Sequence, residues 1–267
     1  MRRHLLPLGL AALFINPSLA PAAPLDLSAA LETAIRANPE LAAARRELQA
    51  LEATVVQAQA RPNPELAMQF EDTRSATRST ALQLNQPIEL GGKRAARIDA
   101  AERGRDAAAA ELRGKLAEVR AAVTVAFFDT LVAQERLRLA RDAVELAQRA
   151  TEVARRRVLA GKVSPIEETR ARVAESGVRV ELRTAESELA SARTRLAGTW
   201  GDASPRFESV DGDPGALPQL PPPAELGRRI ESSPRIARAR IEVERRLALV
   251  EGGRSRRVPN VTVSLGA

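Results

Sequence analysis

The adjacent carboxylates Glu167-Glu168 are of a type that can share a proton and serve acid–base catalysis. Their surroundings offer another use for one of them. Ser164-Pro165-Ile166-Glu167 has the pattern of a capping box, with Ser164 as N-cap, Pro165 at N1 and Glu167 at N3. The remaining chemistry is sparse. Cysteine is absent and His4 is the single histidine, so disulfides and thiolate metal sites are excluded. A chain without usable His or Cys is poorly equipped to hold a transition metal and lacks the commonest general base. No nucleophile–base pair, phosphate loop or metal-ligand cluster is present. The sequence does not read as an enzyme, and no cofactor is implied.

The formal charge is +7, from 41 basic and 34 acidic residues. Basic runs such as Arg155-Arg156-Arg157 sit beside acids such as Glu152 and Glu167. This interleaving argues against nucleic acid as a partner. Trp200 and Phe207 lie in a Pro- and Gly-rich stretch and read as packing anchors rather than ligand-stacking groups.

Elements must position these residues, and the composition is that of long helices. Aromatics make up 2 % and tyrosine is missing, while Ala, Leu, Arg and Glu dominate. Residues 1–23 have a secretory layout: Met1-Arg2-Arg3-His4, an apolar run Leu5 to Ile15, and small residues for cleavage at Ala20, Ala22 or Ala23. That run is too short to span a bilayer, which needs about 20 residues.

The expected order is a first repeat over 24–198, an irregular linker over 199–223, and the start of a second repeat over 224–267. Within the first, Asp26 or Ser28 caps a short helix. Asn38 caps a second, over 38–61, with Pro39 at N1. Period-two alternation predicts strands over 65–72 and 79–88. After Gly91-Gly92 a helix runs over 93–160. Its apolar row is Leu112, Leu116, Val119, Val123, Ala126, Thr130, Ala133, Leu137, Ala140, Val144, Ala147, Thr151, Ala154 and Val158. Steps of four and three are the signature of supercoiled helices. Gly161 opens a tip over 161–164, and a helix follows over 165–198. It carries one row from Ala171 to Leu196 and a second of Val173, Val180 and Thr184, which predicts packing between two neighbours.

The end of the chain repeats its beginning at an offset of 195: Leu31/Leu226, Ile35/Ile230, Pro39/Pro234, Arg45/Arg240, Glu47/Glu242, Val55/Val250 and Pro64/Pro259. Tandem units close one architecture together. The second unit reaches only its first strand at Ala267, so the sequence reads as a fragment or a truncated product.

This order resembles the TolC-type outer-membrane efflux family. Leu84-Asn85-Gln86-Pro87-Ile88-Glu89-Leu90-Gly91-Gly92-Lys93-Arg94-Ala95-Ala96-Arg97 is similar to the strand-to-helix junction of its CzcC-like heavy-metal branch. Arg157 to Ser164 resembles the family's helical tip. The resemblance implies a mainly α fold with a small transmembrane β part. Long antiparallel coiled-coil helices would form an α-barrel, and the strands would join an oligomeric outer-membrane β-barrel. It implies a trimer in the Gram-negative outer membrane, extending into the periplasm. That trimer would be a passive conduit for metal cations or other toxic small molecules.

The implied partners are a periplasmic adaptor, an inner-membrane RND-type pump and outer-membrane lipid. Leu66, Met68, Phe70, Leu82 and Leu84 would then face lipid, and Gln69, Glu71, Gln83 and Asn85 the lumen. Pro87, Gly91, Gly92, Lys93 and Arg94 would form the strand-to-helix junction. Val158, Leu159, Gly161, Val163 and Ser164 would form the docking tip. Glu71, Glu167 and Glu168 are expected to favour cations. Four strands per protomer are expected, of which this sequence supplies two and the start of a third. The aromatic girdle of such barrels is represented only by Phe70. The competing reading, an adaptor with a helical hairpin, predicts β-rich sequence after the second helix, whereas Ala224 to Arg256 has a helical pattern.

Overall fold

The computed structural model describes residues 24–71, 79–213, 215, 221–231 and 233–267. The expected export signal lies outside them. The elements, in chain order, are α1 (Leu27–Ala37), α2 (Pro39–Gln59), β1 (Glu65–Glu71), β2 (Ser79–Ile88), α3 (Lys93–Leu159), α4 (Pro165–Gly198), α5 (Pro223–Glu231), α6 (Pro234–Ser255) and β3 (Val261–Gly266). The repeat seen in sequence is a repeat in structure: α5–α6–β3 follows the order of α1–α2–β1. No described helix is long and apolar enough to cross a membrane.

Side-chain caps start four helices: α1, α2, α6 and, at the tip, α4. Asp26 Oδ1 accepts from Ala29 N–H at 2.6 Å, Asn38 Oδ1 from Leu41 N–H at 2.9 Å, and Ser233 Oγ from Ile236 N–H at 3.4 Å. Pro39 and Pro234 sit in the first turn, where a missing N–H costs nothing.

The 67 residues of α3 make a rod of about 100 Å. All fourteen positions of its apolar row are buried or half-buried, because α2 and α6 flank its first half and α4 its second. The row therefore changes partner along its length without changing register. Ion pairs fasten the flanks. Lys115 Nζ lies 3.1 Å from Glu40 on α2, Arg238 2.6 Å from Glu111 across α6, and Arg136 3.3 Å from Glu188 on α4. On α4, Ala185, Leu189, Ala192 and Leu196 are buried, but Ala174, Val173, Val180 and Thr184 are exposed. The first row of α4 thus packs on α3, and its second row is exposed.

The main core lies near the middle of the rod. Phe127, Leu131, Val123 and Val119 pack with Ala30 and Ala34 of α1, with Leu41, with Leu196 and with Val210 of the linker. Trp200 and Phe207 pack against this core with ring centroids 6.1 Å apart. Gln134 secures the linker by donating to Val210 O at 3.0 Å and accepting from Val210 N–H at 2.6 Å. Leu25 adds a backbone bridge, donating to Ser209 O at 3.0 Å and accepting from Asp211 N–H at 2.9 Å. Asn38 does double duty, since its Nδ2 donates to Thr199 O at 2.7 Å and ties the start of α2 to the end of α4. The result is a girdle around a rod, with the sheet at one end and the α3–α4 turn at the other.

Candidate functional site: a sheet with one apolar face and a distant helical tip

The three strands pair antiparallel in the order β1-β2-β3. Opposed residues share a face, so register decides what each face presents. Leu66 lies opposite Leu84, which lies opposite Leu265; Met68 faces Leu82, Gln86 faces Val263 and Ile88 faces Val261. Leu66, Met68, Phe70, Leu82, Leu84, Ile88, Val261, Val263 and Leu265 therefore occupy one face, interrupted by Thr80 and Gln86. Every one of the nine is exposed. The other face carries Gln69, Gln83, Asn85, Thr262 and Ser264, and Ser264 Oγ donates to Asn85 Oδ1 at 2.7 Å. Glu71 ends β1 opposite Ser79. The five residues expected on the apolar side share a face, and Gln69, Gln83 and Asn85 share the opposite one. An apolar face this complete is out of place in water.

Pro87 lies in the middle strand of the sheet. Its pairing is with Thr262 alone, because β1 leaves the ladder at Glu65–Asn85. A residue without an N–H is tolerated where one neighbour has departed.

The junction to α3 turns on Gly91 and Gly92, with φ of +69° and +71°. A Cβ on Gly91 would stand 2.6 Å from Val258 Cβ and 2.9 Å from Ser255 O, whereas Gly92 meets nothing within 4 Å. Two arginines complete the junction by serving the carbonyls that end α2. Arg94 donates twice to Gln59 O, at 3.0 and 2.8 Å. Arg97 donates to Ala58 O and Ala60 O, both at 3.1 Å, and forms a two-point ion pair with Glu89. Helix C-termini expose unpaired carbonyls and a partial negative charge, which suit guanidinium. The Arg97 hydrogen bonds hold the Glu89 carboxyl below its usual range. Lys93 donates to Asn260 Oδ1 at the α6–β3 turn. Spacing alone did not reveal this use of Arg97. Two arginines three residues apart, just after a glycine break, are the signal for it.

The tip lies at the other end of the rod. Gly161, at φ +66°, closes α3 in a Schellman turn: Lys162 N–H donates to Arg157 O and Gly161 N–H to Val158 O, each at 2.9 Å. Leu159 is 75 % exposed, while Val158 and Val163 are half-buried. Ser164 Oγ accepts from Ile166 N–H at 3.5 Å. The reciprocal half of the expected capping box is absent: Glu167 is drawn instead to Arg170 at 2.8 Å. A charged donor one turn away competes better than a neutral N–H. Glu168 pairs with Arg172 at 2.5 Å. Each tip carboxylate thus has an arginine partner on its own helix. Glu152 accepts from Arg155 and Arg156, which lower its pKa to about 2.

Among the described residues no group of three or more His, Cys, Asp or Glu is placed to hold a metal ion. The features that stand out are a lipophilic sheet face at one end and a charged turn about 100 Å away along the helix axis.

The architecture is that of an outer-membrane efflux channel subunit. The family profile described as outer membrane efflux protein matches residues 30–202, and the chain belongs to that family. It is 46 % identical to the cobalt-zinc-cadmium resistance protein CzcC of Cupriavidus metallidurans, in an alignment covering 100 % of this chain and 68 % of CzcC. The fold matches the solved structure of CusC with a TM-score of 0.73 at 18 % identity, over 94 % of this chain and 63 % of CusC. It matches VceC of Vibrio cholerae at 0.70 and 18 % identity, over 90 % of this chain and 61 % of VceC. The chain thus spans somewhat under two thirds of the length of these two solved channels.

Proposed function

We propose that this chain is a stave of a trimeric duct through the Gram-negative outer membrane and into the periplasm. The duct conducts divalent metal cations or other toxic small molecules outward as a passive conduit. The observation that carries this reading is the sheet: one face is apolar and exposed, the other polar, and the outer edge of β1 lacks a partner among the described residues. Such a sheet is stable in lipid only inside a closed barrel. Its apolar face then meets lipid, and Gln69, Glu71, Gln83 and Asn85 line the bore.

The helices support the same reading. Val125, Val132, Leu139, Leu146 and Val153 recur every seven residues on α3 and are exposed, as are Ile166, Val173 and Val180 on α4. Away from the tip, over Val125, Val132 and Leu139, this second heptad-spaced row is the seam that a neighbouring helix pair would cover. The similarity to a protein named for cobalt, zinc and cadmium resistance supports metal cations as cargo. The energy would come from an RND-type inner-membrane pump, reached through a periplasmic adaptor that docks on Val158, Leu159, Gly161, Val163 and Ser164.

The test compares Leu84→Arg with Gln83→Arg in the full-length protein. An arginine on a lipid-facing strand position costs about 2–4 kcal/mol near the membrane midplane, and far less on the lumen side. Leu84→Arg should lose outer-membrane insertion and trimer formation, and Gln83→Arg should keep both. Equal tolerance of the two would refute the assignment of faces.

A further inference from the structure

Beside the tip, α3 and α4 enclose a groove of about 610 Å³ lined by Leu146, Ala150, Val153, Val163 and Ala171, and rimmed by Arg149, Arg157, Arg170 and Glu167. We propose that this groove receives an amphipathic helix of the docking partner whose apolar stripe is flanked by carboxylates. The proposal rests on the docking role given to the tip above and adds the partner's charge.

Three observations lead to it. The floor is apolar, and Leu146 and Val153 are 68 % and 57 % exposed, which suits a helix laid into a groove. The rim is cationic. From Leu146 to Arg172 there are seven basic and three acidic side chains. All three acids are already engaged, Glu152 by Arg155 and Arg156, Glu167 by Arg170 and Glu168 by Arg172. Arg149 pairs with Glu145, whereas Arg157 and Lys162 have no ion-pair partner among the described residues.

The charge changes along the same exposed row. Between Val125 and Asp142 the signs balance: Asp129, Glu135 and Asp142 against Arg136, Arg138 and Arg141. A second copy of this chain can pack there. At the tip basic side chains outnumber acidic ones, and Arg157 and Lys162 present positive charge to whatever lies against them, which favours a neighbour of opposite sign. The occupant assigned to this end is the docking partner, with carboxylates facing the cationic rim.

The experiment uses the assembled full-length protein in detergent and two synthetic helical hairpins. They share one apolar heptad seam; one has Glu at the flanking positions and the other Lys. The Glu hairpin should bind at least about tenfold more tightly, and its affinity should fall as NaCl rises from about 0.05 to 0.5 M. Arg157→Glu with Lys162→Glu should abolish that preference, and Arg157→Lys should retain it. Val153→Ser should weaken the Glu hairpin without altering salt dependence. If the Lys hairpin binds as tightly, or binding ignores salt, the charge assignment is overturned while tip docking stands. If neither hairpin binds, both are overturned.

Discussion

Gly91 and Val258 are pressed together: a single methyl on Gly91 would lie 2.6 Å from Val258 Cβ. This contact joins the end of the first strand pair to the start of the third strand. It exists only because Gly91 has no side chain and adopts φ +69°. Its neighbour Gly92 has the same backbone conformation but open space around it, so the pair separates packing from backbone strain.

Gly92→Ala should cost only the left-handed strain, about 1–2 kcal/mol. Gly91→Ala adds overpacking of about 1–3 kcal/mol. Protease resistance and heat stability of the assembled protein should rank wild type, then Gly92→Ala, then Gly91→Ala. Indistinguishable variants would mean that β3 does not close on the junction.

Arg97→Leu should loosen the strand-to-helix junction, since it strips Ala58 O, Ala60 O and Glu89 of their donor. Charged hydrogen bonds of this kind contribute about 1–3 kcal/mol, and partial exposure of Arg97 favours the lower end. Glu89→Gln should do less harm, because Arg97 keeps its two carbonyls. Hydrogen–deuterium exchange over residues 56–62 is the direct readout, and unchanged protection in Arg97→Leu would dismiss the clamp.

Glu152 supplies a pH signature. Its pKa falls from 4.5 to about 2, chiefly through the hydrogen bond from Arg155 and then that from Arg156. A carboxyl with a depressed folded-state pKa stabilises above its unfolded pKa and loses that contribution as pH falls through the folded value. The stability difference between wild type and Glu152→Gln should hold constant from pH 7 to about 5 and vanish on approach to pH 2. A difference that instead changes around neutral pH would point to another group.

Phe127 and Phe128 are adjacent, meet edge to face at 5.8 Å, and have opposite fates. Phe127 is 2 % exposed and Phe128 38 %. Phe127→Ala should cost about 3–5 kcal/mol, enough to open the girdle, and Phe128→Ala markedly less. Thermal unfolding of the two variants measures the contrast.

Much of this was legible in the sequence, because local chemistry and long-range packing agree. Asn38 and Ser164, each followed by proline, marked helix starts that the structure places there. The four-three row of α3 was read without knowing its partners, since any neighbour must meet an apolar stripe. The alternation around Leu66–Phe70 and Leu82–Leu84 gave the two sheet faces. The girdle was not legible. Phe127 and Leu131 lie off the heptad row, and what they touch, α1 and Val210, is remote in sequence. The clue was a widening of the stripe, Val123, Phe127 and Leu131 at successive fours, which marks one neighbour more than a two-helix seam requires. The arginine partners of Glu167 and Glu168 were not read from the sequence, because which nearby cation each carboxylate takes depends on side-chain geometry.

The outer border of β1, which has no partner among the described residues, bears on how such a protein is made. That border is a row of amide and carbonyl groups ready to adopt any extended segment it meets. A newly exported copy carries that appetite, together with a greasy face, through an aqueous compartment before its sisters arrive. Folding and association are then one event, and the hazard during the journey is promiscuous pairing. An escort that masks strand borders in transit would raise the yield of finished ducts more than any gain in the stability of a single copy.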